Sequence, residues 1–178
     1  MRAVVLHVGI LVGASWALGA CSDPVRDSEI SALGGEQPGI PKGPLHRAGQ
    51  PCVLCHDGSG PGQSVFSLAG TVYQAPGSPL PLDGALVRFI DSNGTKHETA
   101  TNCVGNFFVM QSDYDPVFPV WVKLQYGRVG PTPVTVQMSS PIYREGSCAH
   151  CHADKPATES AGHVYFAPAP FEPAGCGP

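Results

Sequence analysis

Charged side chains are scarce in this sequence, and neither sign forms a run. Aspartate, glutamate, lysine and arginine make up only 13% of the 178 residues, and the formal net charge is −4. A nucleic-acid-binding protein needs a basic patch or stripe to neutralise phosphates. We therefore expect no nucleic-acid partner. The same lack of basic clusters removes an electrostatic route to anionic lipid headgroups.

The common catalytic signatures are also missing. The sequence contains no GxSxG, HExxH or GxGxxG motif, so nothing indicates a serine hydrolase, a zinc protease or a dinucleotide-binding enzyme. Its 22 glycines and 19 prolines suit a loop-rich or all-β protein better than a helical one. We expect a mainly β protein, and a non-enzymatic role is favoured.

The N-terminus has the layout of an export signal. Arg2 supplies a positive start, residues 3–18 form an apolar stretch, and small residues precede Cys21. The stretch is at the short end of the roughly 17–25 residues that a membrane span needs. The "LGAC" that ends at Cys21 resembles the bacterial lipobox, whose cysteine is lipidated after cleavage. We expect a signal peptide over residues 1–20 and an exported, membrane-anchored lipoprotein, either periplasmic or at the outer membrane and cell surface.

Two segments are rich in glycine or proline and lack apolar periodicity. Residues 21–44 begin with the lipidated cysteine and predict a flexible linker between the membrane and the folded domain. Residues 167–178 form a proline-rich tail that we expect to be extended.

Residues 64–139 predict a small antiparallel β-sandwich. Apolar and polar residues alternate in successive segments that are separated by glycine, proline and asparagine turns. The "DSNG" at residues 91–94 is a hairpin signal, because asparagine and glycine adopt positive φ at little cost. The expected strands lie in residues 64–73, a hairpin over 84–101, 106–111, 118–127 and 132–138.

The same region resembles the carboxypeptidase regulatory-like, or transthyretin-like, β-sandwich family. The resemblance covers residues 65–138 and rests on five matches in order: "GTV" at 70–72, "LDGALV" at 82–87, "DSNG" at 91–94, "TNCVGNF" at 101–107 and "VWVKLQYG" at 120–127. It implies an Ig-like scaffold that is typically non-catalytic and serves as an accessory or adhesion-like module. A fold of this kind does not by itself give a function.

Two pentapeptides bracket the expected sandwich: "CVLCH" at 52–56 and "CAHCH" at 148–152. Cysteines at i and i+3 lie on one side of a helical turn, where each sulfur can add to one vinyl group of a haem. The adjacent histidine, His56 or His152, then faces the iron as its proximal ligand. Both pentapeptides resemble the attachment sites of small multihaem c-type cytochromes, which implies two haem c groups.

Short helical or loop segments should carry these pentapeptides, over residues 45–63 and 140–166. Two other uses of their thiols stay open: a Cys₄ zinc site that joins both ends of the sandwich, or two disulfides that stabilise a small core. Both alternatives leave the two adjacent histidines without a role, so the repeated CxxCH pattern favours haem. The four thiols are those of Cys52, Cys55, Cys148 and Cys151.

The remaining cysteines and histidines are candidates for a disulfide and for further iron ligands. Cys103 and Cys176 are left over, and they can form one disulfide in an oxidising compartment. His46 lies six residues before the first pentapeptide and His163 eleven residues after the histidine of the second. We expect these two histidines to be the sixth ligands of the two irons. Met138 is expected to be packed in the core.

The sequence therefore predicts a lipid-anchored dihaem c-type cytochrome that carries single electrons at the bacterial cell envelope, with redox proteins as partners. The β-sandwich would serve as its scaffold. The alternative is a non-haem envelope β-sandwich lipoprotein that binds another molecule and uses its CxxC pairs as disulfides or as a zinc site. A haem enzyme is a third class, and it requires one iron with an open coordination position.

Overall fold

The computed structural model describes residues 23–129, 132–153, 158, 160–166 and 176. The helices of this part are α1 (Pro24–Ala32), α2 (Cys52–Cys55) and α3 (Cys148–Cys151). The strands are β1 (Phe66–Tyr73), β2 (Leu86–Ile90), β3 (Lys96–Ala100), β4 (Asn106–Met110), β5 (Trp121–Val129), β6 (Thr132–Gln137) and β7 (Val164–Tyr165). They form a three-stranded sheet in the order β4-β1-β7 and a four-stranded sheet in the order β3-β2-β5-β6. The prediction of a mainly β protein is confirmed, and the two largely antiparallel sheets are consistent with a small β-sandwich.

Alternating residues put one face of the four-stranded sheet in the core. Val87 and Phe89 of β2 are fully buried, whereas Arg88 between them is exposed, as the period of two in a strand requires. The expected turn joins β2 to β3: Asp91 Oδ1 accepts a hydrogen bond of 2.8 Å from the N–H of Thr95. The strands predicted up to residue 138 are therefore present, with ends that differ by up to three residues.

Strand β1 is central in the three-stranded sheet, and its last six residues are buried. Leu68 and Val72 pack in the core between the sheets. Along one edge β1 pairs with β4, where Ala69 lies opposite Phe108. Because Ala69 also forms a parallel bridge with Ser147, the segment before α3 must lie along the other edge. Strand β1 is thus covered on both edges.

Strand β7 lies outside the region that sequence periodicity assigns to the sandwich. The sequence pattern identifies only the second pentapeptide within residues 140–166. In the structure, however, Val164 pairs in parallel with Val72 of β1. Phe166 follows, and its side chain is 1% exposed and belongs to the core. A strand of two residues carries no detectable alternation, so sequence periodicity gives no sign of β7.

Helix α1 lies within residues 21–44, the segment that the sequence predicts to be a flexible linker. Asp23 caps this helix, because its Oδ1 accepts hydrogen bonds from the N–H groups of Val25 (3.1 Å) and Arg26 (3.2 Å). Pro24 occupies the first helical position, where its missing N–H leaves no hydrogen bond unmade. The overall polarity and the glycines of the segment conceal this local cap in the sequence.

The chain divides into two units, Met1–Gly34 and Gly35–Pro178. Helix α1 lies in the first unit, and all strands and both pentapeptides lie in the second. The expected signal peptide (1–20), the expected lipidation site Cys21 and most of the tail 167–178 lie outside the described residues. Among the residues described, none of the helices is long and apolar enough to cross a membrane.

A disulfide joins Cys103, in the turn before β4, to Cys176 in the tail. The two cysteines are 73 residues apart in the chain. By loop-closure entropy, a cross-link over this separation lowers the free energy of the folded state relative to the unfolded one by about 4 kcal/mol. A thin sandwich core of this size benefits from such a cross-link.

The two faces of the four-stranded sheet should respond differently to truncation. Phe89→Ala removes a fully buried ring, and we expect it to reduce the free energy of unfolding by about 3–5 kcal/mol. Trp121→Ala is the control, because Trp121 is 40% exposed on the outer face and its loss should cost under about 1 kcal/mol. Urea unfolding followed by circular dichroism measures both. Equal losses would contradict the assigned faces.

Candidate functional site

The first pentapeptide forms one helical turn that ends at its histidine. In α2 the N–H of His56 donates to the carbonyl of Cys52 at 3.0 Å, and this turn brings the side chains of Cys52 and Cys55 to one side. The His56 ring then turns back toward the following chain, where Nδ1 lies 2.8 Å from the carbonyl oxygen of Ser64. The pentapeptide therefore has a fixed histidine orientation.

The loop after His56 is built tightly against the turn. Asp57 Oδ1 accepts a hydrogen bond of 3.0 Å from the N–H of Gly60, and the N–H of Gly62 donates to the carbonyl of Cys55 at 2.8 Å. A Cβ atom on Gly62 would collide with the His56 ring and with that carbonyl. Glycine is required here because the backbone passes directly over the imidazole.

The second pentapeptide repeats this arrangement. In α3 the N–H of His152 donates to the carbonyl of Cys148 at 2.9 Å, and the N–H of Ala161 donates to the carbonyl of Cys151 at 2.8 Å. His152 Nδ1 lies 2.9 Å from the carbonyl oxygen of Gly162. The carbonyl that contacts the histidine lies eight residues after His56 in the first pentapeptide and ten residues after His152 in the second. Two loops of different length therefore make the same contact.

These contacts determine which nitrogen of each histidine remains available. A carbonyl oxygen only accepts hydrogen bonds, so Nδ1 carries the proton when the ring of His56 or His152 is neutral. Nε2 then keeps its lone pair and can bind a metal. Proteins commonly orient metal-binding histidines in this way, with the second nitrogen donating to a carbonyl or a carboxylate.

Strand β1 holds both pentapeptides. The N–H of Phe66 donates to the carbonyl of His56 at 2.8 Å, and the N–H of Ala69 donates to the carbonyl of Gly146 at 2.9 Å. These two attachment points are three residues apart, which corresponds to about 10 Å along a strand. Segments almost a hundred residues apart in the chain therefore meet on one strand.

The cysteines of the two pentapeptides approach each other. Burial, together with the neighbouring Cys52 and Cys151, raises the pKa of the Cys148 thiol to about 12. Burial also raises the pKa of Cys52, to about 11. Gly70 of β1 leaves the space for Cys148, because a Cβ there would lie 2.7 Å from the Cys148 Cβ. The four thiols are free and belong to Cys52, Cys55, Cys148 and Cys151.

The four thiols are not grouped around one point, although Cys52 and Cys148 approach each other. In the part of the chain that the structure describes, no three histidine, cysteine, aspartate or glutamate side chains are grouped to hold a metal ion. A structural zinc site needs four such ligands in a tetrahedron. The thiols are also not joined in disulfides. In this conformation neither alternative use of the CxxC pairs is preformed.

A cavity of about 700 Å³ opens beside α3. Its wall contains His152, His163 and Met138, together with side chains of both sheets such as Phe107 and Leu124. Its volume falls within the roughly 300–1,000 Å³ of sites that hold small molecules and cofactors. The cavity is mainly apolar, with the second pentapeptide at its edge.

His46 lies beside the first pentapeptide. Its ring centroid is 6.0 Å from that of His56, and the two ring planes are inclined by 68°. The main chain at His46 is held by Asn106, whose Nδ2 donates to the His46 carbonyl at 3.0 Å and whose Oδ1 accepts from Thr71 at 2.7 Å. On its other side, His46 Nδ1 lies 3.5 Å from Glu36 Oε1. This histidine is therefore placed by contacts on both sides.

Glu36 and Arg47 form an ion pair next to this histidine. Arg47 Nε donates to Glu36 Oε1 at 3.0 Å. Burial raises the pKa of Glu36, but Arg47, His46 and Lys42 together hold it below its ordinary value, so Glu36 is a carboxylate at neutral pH. The pKa of Cys55 is raised by burial and also responds to the charges of Arg47 and Glu36. The ion pair therefore lies within electrostatic reach of the first pentapeptide.

His163 is placed differently from His46. Its side chain is 8% exposed and stacks on the ring of Tyr73, with centroids 3.9 Å apart. It follows Gly162, the residue whose carbonyl contacts His152, and it lines the same cavity as His152. His150, between the two cysteines, is exposed. Both histidines expected as sixth ligands thus lie close to a pentapeptide, and the His46 ring lies beside the ring of His56.

Sequence reasoning missed the partners of these histidines. The acceptors at Ser64 and Gly162 are backbone carbonyls, and a backbone carbonyl has no sequence signature. Glu36 lies in a segment whose composition predicts a linker, so its charge gives no indication of a role. The glycines at 58, 60 and 62 are the available signal, because glycine permits a close approach of the backbone to its neighbours.

Thiol reactivity in the protein with reduced cysteines should follow these pKa values. Cys148, with a pKa of about 12 instead of 9.0, holds about 1,000-fold less thiolate at pH 8 than an unperturbed thiol. We expect iodoacetamide to modify it at least about 10-fold more slowly than the exposed Cys151, with a rate that still rises above pH 10. Peptide mass spectrometry across a pH series measures both rates. A Cys148 rate that levels off near pH 9 would contradict the burial.

Comparison with known proteins finds no match for this chain: no family model, no curated protein and no solved structure corresponds to it. The likeness of residues 65–138 to a β-sandwich family and the likeness of the pentapeptides to cytochromes therefore stay at the level of motifs. The function must be inferred from the residues and geometry of this chain.

Proposed function

We propose that this chain is a lipid-anchored dihaem c-type cytochrome that carries single electrons at the bacterial cell envelope. The observation that carries the proposal is the matching environment of His56 and His152. Each Nδ1 contacts a backbone carbonyl, and each Nε2 is left for a metal. A zinc clasp or a pair of disulfides needs neither histidine. The haem interpretation gives both histidines and all four thiols a role.

The residues of both pentapeptides fit a covalently attached haem. In each, two free thiols lie in one helical turn directly before an oriented histidine. When bound, the haem would supply an iron that exchanges one electron between its ferrous and ferric states. Cys52 and Cys55 would hold one haem with His56 as ligand. Cys148 and Cys151 would hold the other with His152 as ligand.

The surroundings of the pentapeptides support an electron carrier. The apolar cavity beside α3 would keep water from the second haem, and burial of this kind sets the reduction potential. The attachment of both pentapeptides to β1, three residues apart, would bring the two haems close together. Two neighbouring haems can pass an electron between them, which suits transfer from one redox protein to another.

The scaffold and the location belong to the same proposal. The order of strands β1 to β6 and the turn at Asp91 support membership of the carboxypeptidase regulatory-like β-sandwich family. The "LGAC" sequence ending at Cys21 supports export and lipidation, and two or more acyl chains suffice for stable anchoring. The partners would then be the membrane and other redox proteins of the envelope.

Purification from a host competent in cytochrome c maturation tests this function. We expect a pyridine haemochrome spectrum of the c type and an intact mass that includes two haems. The paired variants Cys52→Ser/Cys55→Ser and Cys148→Ser/Cys151→Ser should each retain one haem. A colourless product with free or bridged thiols would disprove the proposal and leave the binding lipoprotein with disulfides or zinc. Carbon monoxide binding to the reduced protein would instead favour a haem enzyme with an open iron.

Gly62→Ala should damage the first haem site selectively. The added methyl group would collide with the His56 ring, so we expect that haem to lose its histidine ligand partly and to show a high-spin absorption spectrum. Gly35→Ala is the control, because a Cβ at Gly35 meets no other atom within 4 Å. Visible spectroscopy of both purified variants measures the spin state of the haems. Identical low-spin spectra would mean that the backbone at Gly62 does not constrain His56.

A further inference from the structure

Glu36 precedes the first pentapeptide by sixteen residues in the sequence. Its side chain contacts residues that lie beside that pentapeptide in the structure. The carboxylate lies between His46 and Arg47, with Oε1 3.5 Å from His46 Nδ1 and 3.0 Å from Arg47 Nε. The side chains of Glu36 and His46 are each 26% exposed. Within the described part of the chain, Glu36 Oε2 and His46 Nδ1 are buried atoms that lack a hydrogen-bond partner of good geometry. Glu36 Oε1 is nevertheless the carboxylate oxygen that faces His46 Nδ1.

The separation of the two histidines matches a shared metal. A metal–imidazole bond is about 2 Å long, and the ring centroid lies about 1 Å behind the nitrogen. Two imidazoles on opposite sides of one metal therefore have centroids roughly 6 Å apart, and those of His46 and His56 are 6.0 Å apart. Because Nδ1 of each ring faces an oxygen, Nε2 is the remaining ligand atom in both.

Resting on the proposed function, we propose that Glu36 is the positioning residue for His46 as the sixth ligand of the first haem. The carboxylate faces Nδ1 and keeps Nε2 directed toward His56. The negative charge of Glu36 would make the His46 imidazole a stronger electron donor to the iron and would favour the ferric state. The reduction potential of the first haem would therefore be lower. Arg47 orients the carboxylate and partly offsets its charge. This contact is an instance of the carboxylate–histidine–metal arrangement.

Three substitutions in the dihaem protein separate orientation from charge. His46→Ala should convert half of the haem from low-spin to high-spin, because only the first iron loses its sixth ligand. Glu36→Gln retains an oxygen that can face Nδ1 but removes the charge, so the haem should stay low-spin while one of the two midpoint potentials rises. Glu36→Ala removes both the oxygen and the charge, so His46 is no longer held in place. The affinity of added imidazole for one iron should then increase about 10-fold.

Glu98→Gln is the matched control. Glu98 also forms an ion pair with an arginine, Arg88, at 2.9 Å, but on the exposed face of the four-stranded sheet. We expect no change in spin state, potentials or imidazole affinity. A general loss of stability would not raise a single potential while both irons stay low-spin, so the contrast between Glu36→Gln and Glu36→Ala distinguishes positioning from folding.

Electron paramagnetic resonance, redox titration and imidazole titration supply the readouts. The inference is overturned if both Glu36 variants match the unmodified protein, or if His46→Ala leaves both haems low-spin. Those results would leave the dihaem proposal intact. A colourless unmodified protein would instead overturn the proposed function and this inference together, so the two failures are distinguishable.

Discussion

Strand β1 is the element on which the rest of the structure depends. Its inner face contributes Leu68 and Val72 to the core, and its backbone N–H groups bond to the segments of both pentapeptides. A strand that is buried along most of its length and paired on both edges has little freedom to move. Because the two pentapeptides share this support, β1 sets their separation although they lie far apart in the chain.

The small sandwich is stabilised by more than its core. The disulfide between Cys103 and Cys176 closes a long loop, and the pairing of β7 with β1 brings the C-terminal part of the chain back to the sheet. Attached haems would add to this stability, because their bonds to the histidine ligands and the packing around them would form only in the folded state. Strand β7 directly follows His163, so the segment that completes the three-stranded sheet also reaches the candidate site.

The two candidate sites are alike in their proximal histidines and different in what surrounds them. Near His56 lies a second histidine, backed by the ion pair of Glu36 and Arg47. Near His152 lies a mainly apolar cavity that is lined by Met138 and the buried His163. Charge near an iron and burial around it both change its reduction potential. Two haems in these settings would have different potentials, which would give electron transfer between them a preferred direction.

Local patterns in the sequence determined much of this structure. The period of two predicted the strands up to residue 138, because alternating side chains must face either the core or water. The helical turns at Cys52 and Cys148 followed from the cysteine spacing. The sequence did not indicate α1, because its cap is a local hydrogen bond within a polar segment, or β7, because two residues are too few to show a period.

The sequence by itself named the residues of the site, since cysteine and histidine at this spacing have few chemical uses. Only the tertiary structure decided which atoms face them. The carbonyls of Ser64 and Gly162 belong to the backbone, and every residue has one, so no residue type could identify them. The approach of His46 to His56, the partnership with Glu36 and the meeting of both pentapeptides on β1 join distant parts of the chain. Such contacts arise from the packing of the sheets, which no local pattern encodes.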